Sequence, residues 1–219
     1  MTAPSGKGPN ADFKVVLLGD TAVGKTALVE RYSSGKFLPD QPPTFGASFF
    51  LKTLQYQGTS YRVGIWDTAG QEKFDCLSSF YTRGAACGIV CYSLVDNRCK
   101  LDRWLEKLMN ESGDEHVTVV LCGTKSDLTA TQERVWDADL VREYATRYHA
   151  LHFETSAVTG DHIEEMFDAA LAQMVATHPQ VRAAVGQTSG RGPAGTGVVL
   201  ADPGKQPGPA GHRSSPCCR

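Results

Sequence analysis

One stretch narrows the possible folds more than any other. It is Gly19-Asp20-Thr21-Ala22-Val23-Gly24-Lys25-Thr26, set between the apolar run Phe13 to Leu18 and the helix-like run Ala27 to Tyr32. A short continuous apolar run bounded by turn residues reads as a strand buried on both faces. Glycines at both ends let the backbone wrap closely round an anion, so that its N–H groups point inward as donors. The helix that starts just beyond adds the positive end of its dipole. In such a loop, residues from Gly19 through Asp20, Thr21, Ala22, Val23 and Gly24 surround a polyphosphate. Lys25 reaches the β- and γ-phosphates, and the Thr26 hydroxyl takes one Mg²⁺ position. A chance glycine turn would account for the glycines but not for the Lys-Thr pair that follows them.

From Asp12 to about His178, strand-like runs alternate with stretches of helical period. That is the pattern of an α/β domain, with a largely parallel sheet and helices on both faces. The spacing predicts six strands, over 13–18, 49–56, 61–67, 86–92, 117–123 and 151–154. The second and third are joined by Gln57-Gly58-Thr59-Ser60, which suggests one antiparallel hairpin. Helices are expected over 25–33, roughly 72–81, 99–111, 136–148 and 161–176. In the last, Ile163, Met166, Phe167, Ala170, Leu171 and Met174 share one face, a core stripe.

Beyond residue 178 the character changes. Six of the 11 prolines and eight of the 22 glycines fall in 179–219, with little to bury. The expectation is a flexible N-terminal extension over 1–11, one domain over 12–178, and a flexible hypervariable tail over 179–219. The net charge of −2 gives no reason to expect nucleic acid. It conceals a tail of net +4, five basic residues against Asp202, and a remainder of −6. No window approaches the roughly 18 apolar residues of a membrane span, and 1–11 lacks the apolar run of a signal peptide. Cys76, Cys87, Cys91, Cys99 and Cys122 lie singly in apolar or helical segments without metal-ligand spacing, as small core residues of a reduced protein do. Cys217 and Cys218 stand apart, adjacent near the C-terminus.

The ends of the later strands add further chemistry. Asp67 closes a strand in Trp66-Asp67-Thr68-Ala69-Gly70-Gln71-Glu72, where a carboxylate suits a water-mediated Mg²⁺ contact. Gly70 can offer its N–H to a γ-phosphate, and Gln71 can orient an attacking water. Thr124-Lys125-Ser126-Asp127 follows the run 117–123. Asp127 there would accept from a ring N1–H and an exocyclic NH₂ together, a donor pair that guanine has and adenine lacks. Glu154-Thr155-Ser156-Ala157 can present a backbone N–H from Ser156 or Ala157 to the guanine O6. Four such segments in this order, each after an apolar strand, point to the crevice beyond strand C-termini where this architecture binds ligands. Asp127 disfavours the alternative of a P-loop ATPase.

Over roughly 12–177 the chain resembles the Ras superfamily of small GTPases, and within it the Rab family. Besides the four segments, the resemblance rests on Phe45-Gly46-Ala47-Ser48-Phe49 after Thr44, on Trp66 to Glu72, on Tyr81-Thr82-Arg83-Gly84-Ala85 and on Cys217-Cys218. It implies a P-loop NTPase G domain that cycles between GTP and GDP with Mg²⁺ and hydrolyses GTP slowly. Thr44 then binds Mg²⁺ and γ-phosphate in the triphosphate state, Phe37 packs edge-on against guanine, and Lys125 belongs to the base loop. Phe49, Trp66 and Tyr81 resemble the aromatic triad on which Rab effectors dock. The Cys-Cys-X ending resembles doubly geranylgeranylated tails, since two lipids anchor stably where one holds marginally. Pro216 stands where a four-residue prenylation motif would need cysteine.

The implied partners are an exchange factor, an activating protein, a GDP-dissociation inhibitor, an escort protein and effectors at the switch regions. The implied setting is a monomer on the cytoplasmic side of intracellular membranes, with a cytosolic pool, regulating vesicle traffic. Three residues depart from the common pattern. Thr124 replaces an asparagine and should loosen the tie between base loop and phosphate loop. Ala22 replaces a frequent glycine and adds a methyl near the γ-phosphate. Val158 replaces a common lysine beside the base. The Gly-Thr-Lys-Ser-Asp variant resembles that of a divergent Rab branch associated with late endosomes and autophagy, although the chain keeps Gln71. A second reading remains open, a nucleotide-bound interaction scaffold that barely hydrolyses.

Overall fold

The computed structural model describes residues 10–39, 41–70, 80–96 and 98–186. Strand β1 (Phe13–Leu18) is buried at every position because it lies inside the sheet. It pairs in parallel with β3 (Thr59–Thr68) on one side and with β4 (Cys87–Ser93) on the other. β2 (Ala47–Tyr56) runs antiparallel along the outer edge of β3, while β5 (Thr118–Thr124) and β6 (Leu151–Glu154) continue the sheet in parallel beyond β4. The order is β2-β3-β1-β4-β5-β6, six strands with one antiparallel pair, as expected. The hairpin is tighter than the sequence suggested. Tyr56 already pairs with Thr59, so Gln57 and Gly58 alone make the turn, with φ of 48° and 74°. Positive φ at both positions matches the turn to the twist of its strands.

The chain leaves β1 for β3 on one side, then crosses back to β4 and continues outward. Right-handed crossovers in the two directions place helices on opposite faces. On one face α1 (Lys25–Ser34) meets α4 (Ile163–Thr177), with the Tyr32 and Phe167 rings stacked at 3.8 Å. The stripe expected in α4 is buried at all six positions. Against β4 lies α2 (Leu101–Glu111), so close that a Cβ on Gly88 would come within 2.2 Å of Leu108. α3 (Ala138–Arg147) is capped by Asp137, whose carboxylate accepts the N–H groups of Asp139 and Leu140. Because β1, β3, β5 and β6 run parallel, the loops that follow them lie at one end of the sheet, where the reversal of strand order at β1 opens a crevice.

The boundary at 178 needs correction. A further helix, α5 (Pro179–Gly186), follows directly, and its Val181 and Val185 pack against the core. Proline suits a first helical position, and two valines four apart are enough to hold two turns on a surface. Composition averaged over the whole tail masks so short a segment. The N-terminal residues 1–9, most of the helix expected over 72–81 and residues 187–219 lie outside the described residues. No described helix is long and apolar enough to cross a membrane. Cys87, Cys91, Cys99 and Cys122 are buried and free; Cys76, Cys217 and Cys218 lie outside the described residues.

Candidate functional site

The loop between β1 and α1 is neither helix nor strand and is shaped by positive φ at Gly19 (142°), Ala22 (63°) and Gly24 (103°). At Gly19 only glycine fits, since a Cβ would sit 2.3 Å from the Cys91 carbonyl oxygen. The loop is held from outside through its carbonyls. Lys25 Nζ donates to Gly19 O at 2.8 Å and to Asp20 O at 2.9 Å. Lys125 Nζ donates to Ala22 O at 2.8 Å, the Thr124 hydroxyl reaches Val23 O, and Leu28 N–H takes Gly24 O at 2.9 Å. With the carbonyls engaged in this way, the N–H groups are left to face an anion. Gly70, from the loop after β3, lies against the same backbone: a Cβ there would be 2.5 Å from Asp20 C and Thr21 N.

Three side chains from three segments meet at the start of α1. Thr26 Oγ1 donates to Asp67 Oδ2 at 2.7 Å, so the Thr44 hydroxyl, 2.8 Å away, donates to Thr26. Asp67 Oδ1 is buried without a hydrogen-bond partner. Burial raises the Asp67 carboxyl to about 6, against the Thr26 hydrogen bond and the Lys25 charge. Burial also lowers Lys25, opposed chiefly by Asp67. A buried carboxylate with an orphaned oxygen and two hydroxyls beside it suit a hard divalent cation that completes its shell with phosphate oxygens and water. Among the described residues no group of three or more His, Cys, Asp or Glu could hold a metal ion by itself. Thr26, Thr44 and Asp67 could hold Mg²⁺ with phosphate and water completing the shell.

A cavity of about 470 Å³ opens over Thr21, Lys25, Thr26, Thr44 and Gly70. A second of about 210 Å³ adjoins it, and Gly24, Ala27, Phe37 and Lys125 line both. The smaller one has apolar walls from Leu28, Phe37, Leu128 and Val158, with Asp127 and Ala157 at its edge. Asp127 sits in a 3₁₀ turn (Ser126–Ala130) and accepts the Ser156 hydroxyl at 2.6 Å. Ser156 Oγ in turn accepts the N–H groups of Val158 and Thr159, both at 3.2 Å. Ser156 thus orients Asp127 through its side chain, and its own N–H is taken by Asp161 O at 3.3 Å. Of the two N–H groups expected to serve a base, that of Ser156 is engaged within the loop, while Ala157 lines the cavity. The Thr124 hydroxyl also approaches Tyr92 O at 3.0 Å, so the tie expected to be loose is made, with one proton between two carbonyls. Gln41, Pro42 and Pro43 line the larger cavity without having been singled out in the sequence; two prolines set immediately before Thr44 were the available signal.

A model of the Ras family matches residues 14–176. The chain belongs to that family. Ras-related protein Rab-22A of Mus musculus is 41% identical over 158 residues, covering 71% of this chain and 80% of its own. Ras-related protein RGP1 of Oryza sativa subsp. japonica is 33% identical over 211 residues, and RABA4b of Arabidopsis thaliana 32% over 209, each covering 94% of this chain and 91% of the relative. With these relatives it is a small GTPase of the Rab family.

The GTPase also brings its three candidate effector aromatics together. Trp66 lies 5.0 Å from Phe49 and 5.3 Å from Tyr81 between ring centroids. Phe45 and Phe80 flank the residues of this cluster in sequence and are 74% and 73% exposed. Phe45 is held out between two anchored neighbours, Thr44 on Thr26 and Gly46, whose carbonyl accepts Ala69 N–H at 2.8 Å. Gln71, expected to orient water, lies outside the described residues, as do the two terminal cysteines.

Proposed function

We propose that this Rab GTPase is a GTP/GDP switch regulating vesicle traffic on the cytoplasmic side of intracellular membranes, anchored by prenyl groups on Cys217 and Cys218. The observation that carries the switch is the joining of Thr44 to Thr26 and Asp67 beside the phosphate cavity. Thr44 is the only one of the three on a segment outside the sheet and α1, so a ligand there controls where that segment and the exposed Phe45 lie. In this reading, the N–H groups of the loop from Gly19 to Gly24 and the Lys25 ammonium hold the phosphates. Asp127, oriented by Ser156, selects guanine, while Phe37 and Val158 cover the base. Bound Mg²⁺ would neutralise charge on the phosphate oxygens, with Thr26 and Thr44 as ligands and Asp67 behind a water. Gly70 donates its N–H to the γ-phosphate, and Gln71 orients the attacking water. No arginine lies between Phe37 and Gly46, so that segment supplies no arginine finger, worth about 10³–10⁵ in rate, and a partner accelerates the slow intrinsic turnover.

Single-turnover release of phosphate from GTP-loaded protein tests this. Slow release that Gln71→Leu abolishes is expected, together with guanine over adenine selectivity. Tight GTP binding with no release from the wild type would instead establish the scaffold reading. An endosomal or autophagy setting belongs to the same proposal and rests on the Thr124-Lys125-Ser126-Asp127 resemblance alone; the location of the tagged protein decides it.

A further inference from the structure

The second residue of the phosphate loop has a partner that nucleotide chemistry does not require. Asp20 Oδ2 accepts the backbone N–H of Lys100 at 2.8 Å, 80 residues further along the chain. Lys100 is the N-cap of α2 and provides no side-chain cap of its own. A loop residue therefore supplies the N-cap N–H with the acceptor that a glutamate inside the helix gives in a capping box, and its charge lies near the positive end of the α2 dipole. The neighbouring Cys99 thiol donates to Cys91 O at 3.6 Å, and burial pushes it up to about 12, so it is protonated. Helix α2 is a firm mooring, because its Leu101, Trp104, Leu105 and Leu108 are buried.

We propose that Asp20 is a positioning residue that pins the first half of the phosphate loop to the N-terminus of α2, and so keeps the loop N–H groups aimed at the phosphates. The proposal rests on the reading of this loop as the nucleotide site. The second half of the loop is tied to the base segment through Ala22 O and Val23 O. The first half is tied at Gly19 O and Asp20 O by Lys25, an ammonium that the phosphates also recruit. The Asp20 carboxylate is a tether of that half for which the nucleotide does not compete. Gly70 raises the demand on it: its close packing on the Asp20 carbonyl means that a shift of the loop there displaces the γ-phosphate donor too.

The test uses the full chain loaded with fluorescent GDP at fixed Mg²⁺. Asp20→Ala is expected to speed GDP release about tenfold, the scale of one hydrogen bond to a charged group, and to speed hydrogen exchange at the Lys100 amide. Asp20→Asn keeps an acceptor and loses the charge, so its release should be about threefold faster. The asparagine variant decides alone if the alanine variant does not fold. Wild-type or slower release in either variant overturns the proposal. So does lowered thermal stability with unmoved release, which would make Asp20 a helix cap and nothing more. Failure of the wild type to bind GDP is the separate result that removes the nucleotide reading itself, and this inference with it.

Discussion

Ala22 holds a left-handed backbone, φ 63°, that costs a non-glycine residue about 1–2 kcal/mol. Glycine there would relieve that strain and lose about 0.5–1 kcal/mol through the greater freedom of its unfolded chain. The strain is the larger quantity, so Ala22→Gly should raise the melting temperature slightly; a lower one means that the methyl makes compensating contacts. Thr124 poses a comparable question one contact away. Its hydroxyl has one proton for two carbonyls, Val23 O and Tyr92 O, whereas an amide has two. Thr124→Asn should therefore gain about one hydrogen bond of 0.5–1.5 kcal/mol and slow GDP release about 2- to 10-fold. The residue is buried, and crowding is the opposing term. Faster release in the asparagine variant would show that crowding wins.

At the scale of elements, α2 is seated on β4 by the missing side chain of Gly88. The Cβ of an alanine would meet Leu108 Cδ2 at 2.2 Å and Cγ at 2.9 Å, so more than a rotation of methyl groups is needed. Gly88→Ala should cost about 1–3 kcal/mol by overpacking, and Leu108→Ala about 2–5 kcal/mol by leaving a cavity. Combined, the two should cost less than their sum, because each relieves the other; additive losses in urea denaturation would show that they do not share this space. Elements of this kind were legible in sequence where burial is complete. Buried β1 begins and ends where its apolar run does, β4 and β5 are offset by one residue, and the half-exposed β6 was legible from its flanking turns instead. The edge hairpin is longer than expected because its strands extend through Ala47, Ser48 and Thr68, whose backbone pairing leaves no hydrophobic trace. α5 went unread for its shortness. In the site, the glycines, Lys25, Thr26 and Asp127 stand in sequence-local patterns set by strand ends. Thr44 was legible only through resemblance, and the contact of Asp20 with Lys100 has no sequence pattern at all, being made by the fold.

Across the whole molecule, Lys14 is a charge in an unusual place. It lies on the central strand, 1% exposed, with Nζ on Arg83 O at 2.8 Å and 5.5 Å from the Trp66 ring centroid. Burial lowers it from 10.5 to about 8. Between those values the unfolded chain binds the proton and the folded chain does not, so stability should rise with pH across that window. Lys14→Met should remove this rise; equal slopes for the two proteins from pH 7 to 9.5 in urea midpoints would show that Lys14 keeps its charge in the fold. Anchoring and switching should also separate. Changing Cys217→Ser and Cys218→Ser together is expected to release the protein from membranes with GDP affinity intact, and undiminished membrane recovery would point to another anchor. The two-residue turn at Gln57 and Gly58 is exposed and lies at the far end of the sheet from the nucleotide crevice. A longer loop there costs only about 0.6 kcal/mol per doubling in length. A fluorescent domain spliced between these two residues would therefore report on the protein in living cells from a position that leaves the crevice open.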